Sequence, residues 1–196
     1  MNDIKKVPVD QAEKFVLSNK LWGTDAYEHE VYAQLTYDEE GFIVKFTVAE
    51  SDPLRDKKQH LTDICLDSCV EFFVNFTPEK SAKYMNLEVN AGGFMDAAFR
   101  SDRYETEPLT LEEIASFNIT PEIYEDHWAV SYKIGFDVIK KYYPEFDIDT
   151  CEYVTGNLYK CGDLTEMEHY VTYFKVDTPE PDYHRPEYFG RFDIVK

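Results

Sequence analysis

Two neighbouring segments with strict period-two alternation constrain this chain more than any other feature. In residues 67–76, Val70, Phe72, Val74 and Phe76 share one face, and Asp67, Cys69, Glu71, Phe73 and Asn75 share the other. In residues 84–91, Met85, Leu87, Val89 and Ala91 form an apolar face opposite Tyr84, Asn86, Glu88 and Asn90. Successive side chains of a strand point to opposite sides of a sheet, so both segments read as strands with one face in a core. Thr77-Pro78-Glu79-Lys80 between them suits an antiparallel connection. The second face of each strand carries carboxylates, amides and a tyrosine. Its default reading is ordinary solvation, because antiparallel sheets commonly keep one wet side.

The same signal recurs along the chain. Residues 34–49 read as a hairpin turning at Asp38-Glu39-Glu40-Gly41, with Phe42, Val44, Phe46 and Val48 on one face. Trp128, Val130, Tyr132 and Ile134 mark another strand, and residues 153–160, 170–176 and 189–195 mark three more. Residues 136–143 have helical spacing and stop at Pro144, with one further helical turn at 111–117. Residues 1–20 show no clean period, residues 50–63 read as a charged loop, and residues 94–113 are irregular. There is no alternation of strands with long helices, so a parallel sheet is disfavoured. The pattern predicts a mostly β, antiparallel β-sandwich with one or two short helices, as a single domain over residues 1–196. Apolar residues at 43% of the chain, with 16% aromatic, supply the core such a fold needs.

Charge narrows the partners. Twenty basic and 39 acidic residues leave a net charge of −19, which repels phosphate backbones and anionic headgroups. Nucleic acid and membrane partners are therefore not expected. Surplus carboxylates suit calcium, so a structural calcium is an allowed occupant although no cofactor is required. No apolar run approaches the roughly 18 residues needed to span a bilayer. The N-terminus lacks an apolar signal core, which predicts a cytoplasmic protein, or a secreted one if a leader has been removed. Cys65 and Cys69 lie roughly 13 Å apart along a strand, too far for a disulfide. Cys151 and Cys161 meet only across a hairpin, and four reduced thiols are expected. A zinc site is disfavoured because no histidine stands at ligand spacing from these cysteines. Nucleotide-binding, zinc-protease and serine-hydrolase motifs do not occur.

The run Asp67-Ser68-Cys69-Val70-Glu71-Phe72-Phe73-Val74 resembles the D-S-x-V-E strand of family 9 carbohydrate-binding modules. Residues 84–93, the segment Gly156-Asn157-Leu158-Tyr159-Lys160-Cys161-Gly162-Asp163 and the ending at residues 181–190 are similar to later parts of that family, in the same order. The resemblance implies a β-sandwich that binds glucose-type sugars without cutting them, with structural calcium in some members. It implies an aromatic clamp with a Glu, an Arg and an Asn around the sugar. The Glu carries over to Glu71 and the Asn to Asn157. The clamp tryptophan expected before the D-S-x-V-E strand falls near Cys65, where there is none. Tyr159 and Lys160 stand where the second clamp tryptophan would, and Glu88 stands where a basic residue is expected.

Sugar recognition needs flat rings over the apolar C–H face and charged or amide groups that bond neighbouring hydroxyls. The candidate ligand-binding residues are accordingly Glu71, Glu88, Asn90, Asn157, Tyr159, Lys160 and His184. Glu71 accepts from hydroxyls, Asn157 orients the ring, and Tyr159 is the nearest aromatic platform. His184, before Arg185-Pro186, either meets the ligand or pins its loop, and the pin is preferred. Trp128 reads as core and Trp22 as core or rim. The competing reading is an interaction domain that kept the fold and lost the sugar site. More distant is a glycoside hydrolase using Glu71 and Glu88, since such enzymes place two carboxylates about 5 to 9.5 Å apart.

Overall fold

The computed structural model describes residues 2–196. Its strands are β1 (Asp3–Lys5), β2 (Lys14–Val16), β3 (Asn19–Lys20), β4 (Val31–Tyr37), β5 (Gly41–Val48), β6 (Cys69–Asn75), β7 (Tyr84–Asn90), β8 (Met95–Arg100), β9 (Thr106–Pro108), β10 (Thr120–Ile123), β11 (Trp128–Gly135), β12 (Tyr153–Cys161), β13 (Tyr170–Thr172) and β14 (Gly190–Val195). Two short helices, α1 (Leu111–Ser116) and α2 (Phe136–Tyr142), complete the fold. None is long and apolar enough to cross a membrane.

The expected mostly β fold with short helices is what forms, but its sheet is mixed and continuous. Strands join in the order β10-β11-β5-β4-β1-β14-β12-β6-β7-β8-β9. β1 is the bridge: it runs parallel to β14 through Asp3↔Asp193, Ile4↔Ile194 and Lys5↔Val195, and parallel to β4 through Lys5↔Thr36. The purely antiparallel expectation is corrected there. Two or three residues show too little of a period to be read from sequence, so β1, β2 and β3 could not be seen in residues 1–20. β9 is as short, whereas the six residues of β8 do alternate, Met95, Ala97 and Phe99 against Asp96, Ala98 and Arg100, and reading 94–113 as irregular overlooks them.

The sheet curls so that its two halves share one core. Val44 and Phe46 of β5, Trp128 and Val130 of β11, Phe72 and Val74 of β6, Leu87 of β7 and Leu158 of β12 all belong to it. Phe42 meets Phe76 across the core with ring centres 5.2 Å apart, and Phe15 meets Phe192 at 5.4 Å. Burying each such side chain contributes about 1.5–3 kcal/mol. Tyr143, after α2, donates its hydroxyl to the carbonyls of Val74 and Lys83 and so ties the helix to the β6–β7 connection.

The opposite face of β6 and β7 is not solvated. Every residue of both strands is buried. A second, smaller core lies over that face, built from Cys69, Phe73, Tyr84, Tyr159 and Cys161. Ile64, Val176 and Tyr183 join it, and Trp22, Cys65 and Phe189 pack against it. Glu71 and Glu88 are therefore held in a largely apolar layer.

Candidate functional site

Glu71 and Glu88 stand directly opposite each other in the antiparallel register of β6 and β7, and Tyr159 stands opposite Glu71 on β12. Glu71 is 3% exposed and Glu88 7%. The Cys161 thiol donates to Oε1 of Glu71 at 3.0 Å, and Nδ2 of Asn86 donates to Oε1 of Glu88 at 2.9 Å. The Asn86 carbonyl in turn accepts from Nε of Arg100 on β8. Among the described residues, Oε2 of neither glutamate has a hydrogen-bond partner. Burial, and then the Glu88 charge, push Glu71 well above the ordinary carboxyl range. Burial, and then Asp96, push Glu88 up to about 8, against the pull of Arg100. Two carboxyls this close and this dry do not both ionise at neutral pH.

These glutamates lie in a cleft of about 100 Å³, walled also by Trp22, Arg103, Tyr183 and His184, with Asp163 and Asp182 among its acids. Trp22 is the aromatic residue that reading along the chain left unassigned. It arrives from the segment between β3 and β4, far in sequence from the position near Cys65 where a clamp tryptophan was expected. Its ring lies 5.5 Å from Tyr170 and 5.6 Å from Tyr183, and its Nε1 donates to the carbonyl of Thr178 at 2.7 Å. Its backbone sits in the left-handed region at φ 51°, followed by Gly23 at φ 87°. That conformation is rare for a bulky residue and costs on the order of 1–3 kcal/mol, strain that clusters at functional sites. The Trp-Gly pair was the only trace of it in the sequence. Arg103, also on the lining, pairs with Asp182 at 3.3 Å.

The other predicted residues divide. His184 does line the cleft, and it is also pinned: Nδ1 bonds the Tyr84 hydroxyl at 3.1 Å and its ring lies 4.9 Å from that of Phe73. Burial, followed by the charges of Arg100 and Arg103, lowers its pKa to about 3, so the ring is neutral. Tyr159 stands opposite Glu71 but is no open platform. Tyr183 stacks over it at 4.1 Å, and the Tyr159 ring is fully buried.

Three residues do not reach the cleft. Asn157 spends its side chain on Phe174, donating to its carbonyl at 2.8 Å and accepting its N–H at 2.9 Å. Asn90 bonds the Lys57 carbonyl, Asp67, and the N–H groups of Gly92 and Phe94, locking two loops. Lys160 points the other way. Strand alternation puts it on the Leu158 side, where its Nζ donates to the Cys161 carbonyl at 2.8 Å and meets His169, 3.8 Å from Glu50 and 6.0 Å from the Trp128 ring. One residue of register separates Tyr159 from Lys160, and that is enough to put them on opposite faces.

The sequence profile of carbohydrate-binding family 9 matches residues 4–194. The chain belongs to that family. Solved structures place this family 9 chain among neighbours of the same fold. A provisionally assigned carbohydrate-binding protein from Bacteroides uniformis ATCC 8492 is 18% identical with a TM-score of 0.82, over 100% of this chain and 98% of its own. A family 9 module from Caldicellulosiruptor kristjanssonii in complex with glucose is 12% identical with a TM-score of 0.69, over 100% of this chain and 95% of its own. The same organism's module in complex with cellotriose is also 12% identical, with a TM-score of 0.68, over 97% and 91% of the two chains. No curated protein matches the sequence.

The family 9 chain carries four free thiols, as expected from their spacing. The structure adds a juxtaposition that spacing did not contain: Cys69 and Cys161 are register partners on β6 and β12.

Proposed function

We propose that this chain binds a glucose-type saccharide without cleaving it, in the cleft lined by Glu71, Glu88, Trp22 and Arg103. One observation carries the reading: a buried carboxyl, Glu71, presents an oxygen without a protein partner at the base of a cleft walled by an aromatic ring. That oxygen opens onto the cleft, where it is free to accept from a donor that arrives with a ligand. Membership of family 9, and the glucose and cellotriose bound by its Caldicellulosiruptor relative, support a sugar hydroxyl as that donor.

The roles follow from position. Trp22 covers the apolar C–H face of the pyranose. Glu71 and Glu88, sharing protons, accept from or donate to adjacent hydroxyls. Arg103, held by Asp182, supplies a charged donor from the same lining. A hydrolase needs one carboxyl ionised on one side of the glycosidic bond and one protonated on the other. Here both glutamates project from neighbouring strands of one face, and both are pushed toward the neutral acid, which favours binding over catalysis.

Calorimetric titration with a panel of mono- and disaccharides, with and without calcium, tests the reading on wild type and Glu71→Gln. Binding lost in a folded Glu71→Gln variant is the expected result. No heat with any sugar would return the chain to the interaction-domain alternative. Hydrolysis of an aryl glycoside that disappears in Glu71→Gln would overturn the non-catalytic half.

A further inference from the structure

Beneath the cleft, two thiols and a carboxyl converge. Cys69 and Cys161 face each other across β6 and β12, and Glu71 is two residues along β6 from Cys69, on the same side. One donor atom from each of the three lies within 4.8 Å of the others, and all three residues are buried. The Cys161 thiol already points at Oε1 of Glu71, 3.0 Å away. Two more donors stand close by: Glu88 opposite Glu71, and the half-buried Cys65, whose carbonyl accepts from the Cys161 thiol at 3.7 Å. Cys65, Glu71, Glu88 and Cys161 all line the cleft, so an ion has a path in.

We propose that Cys69, Cys161 and Glu71 form a binding site for a borderline-soft divalent cation of the zinc type, with the open fourth position facing Glu88 and Cys65.

The donor chemistry selects the class of ion. Thiolates at about 2.3 Å and a carboxylate oxygen at about 2.0–2.2 Å make a tetrahedral zinc set, whereas calcium takes six to eight oxygens. The donor spread of 4.8 Å closes onto a central ion with side-chain rotation. No histidine is required, which is why ligand spacing along the chain gave no sign of it. Both thiols stay protonated in the free protein: burial pushes Cys69 up to about 12, and the contact with Cys69, then burial, raises Cys161. On binding, each S–H bond breaks, its proton leaves to water, and the sulfur lone pair forms the bond to the metal; no electron changes hands. The ion also supplies the positive charge that crowded Glu71, Glu88, Asp96 and Asp163 lack.

This inference is independent of the saccharide reading, but the two meet at Glu71. A cation there occupies the carboxylate that a sugar would use, so metal and sugar compete.

Cobalt(II) is the probe, titrated into the fully reduced chain. The expected result is a strong near-ultraviolet thiolate-to-cobalt band with the visible bands of a tetrahedral ion, displaced by zinc. Cys69→Ser and Cys161→Ser should each lose about half the intensity of the thiolate band and weaken binding by at least ~10-fold, while Cys151→Ser leaves both unchanged. No thiolate band in wild type, or a band that persists in a folded Cys69→Ser/Cys161→Ser double variant, overturns the site. Should the serine variants fail to fold, wild type decides: zinc must slow alkylation of Cys69 and Cys161 but not of Cys151, and equal rates with and without zinc overturn the proposal. Neither readout involves sugar, so loss of the saccharide reading leaves this one standing or falling by itself.

Discussion

Glu71 and Glu88 are directly opposed across β6 and β7, two buried carboxyls on neighbouring strands with one cleft between them and solvent. Each is satisfied on one oxygen only. The arrangement is costly for a fold and useful for a ligand, and it makes the stability of the free protein depend on pH.

The Glu88 carboxyl titrates at about 8 in the fold against 4.5 unfolded, so between those values the folded state holds a proton that the unfolded chain has released. Stability from this group is therefore present below pH 4.5 and is lost as pH rises toward 8. Glu88→Gln keeps an acceptor for Asn86 and removes the titration. In metal-free protein at pH 8 the variant should be more stable by about 1 kcal/mol or more, with the gap closing at pH 4. Thermal melts at the two pH values check this, and equal melting temperatures at pH 8 would sink it.

Trp22→Ala should weaken saccharide binding by about tenfold, roughly 1.4 kcal/mol, through loss of the stacking face. The second core stays closed because Tyr170 and Tyr183 still touch each other, with ring centres 6.3 Å apart. Trp22→Phe should recover part of the affinity. Calorimetry on the three proteins decides the matter; undiminished binding by Trp22→Ala would remove the ring from the site.

His169 and His184 both titrate at about 3 in the fold, the first held down by burial and Lys160, the second by burial and Arg100 and Arg103. Unfolded, each would titrate near 6.5. Between about 3 and 6.5 the unfolded chain binds more protons, so their contribution is complete above 6.5 and is lost as pH falls. This slope opposes that of Glu88 where the windows overlap. In the folded protein, imidazole proton resonances of both residues should stay unshifted from pH 8 down to about 4.5; titration of either near 6.5 would contradict the buried placement.

Lys160→Met should cost about 3 kcal/mol of stability while leaving sugar affinity unchanged to within about twofold. The substitution strips Glu50 of its cation and empties the bond to the Cys161 carbonyl, inside the main core. Burial alone would raise Glu50, but Lys160, Trp128 and Ser68 hold it lowered. Denaturant melts and calorimetry on the same variant separate the two effects, and a large drop in affinity would restore Lys160 to the ligand face.

Alternation along 67–76 and 84–91 was enough to place Val70, Phe72, Val74, Met85, Leu87 and Val89 in the core and Glu71 and Glu88 together on the other side. A period of two is a local property of the backbone, legible wherever a strand runs six or seven residues. The same locality let Asn90 and Asn157 look like ligand groups. Whether an amide meets a sugar or a loop depends on what crosses above it, and the loops that claim them begin at Lys57, Gly92 and Phe174.

By itself, then, the sequence determined the longer strands such as β5, β6, β7 and β11, which side of each is apolar, and that an acidic, aromatic-rich chain with the D-S-x-V-E strand falls in family 9. Only the tertiary structure decided that β1 joins two half-sheets in parallel, that Trp22 rather than a residue near Cys65 walls the cleft, and that Cys69 meets Cys161 beside Glu71. Patterning reflects the geometry of one strand, whereas these are contacts between residues about 30 to 190 positions apart, brought together by sheet order and curl, which local periodicity does not encode.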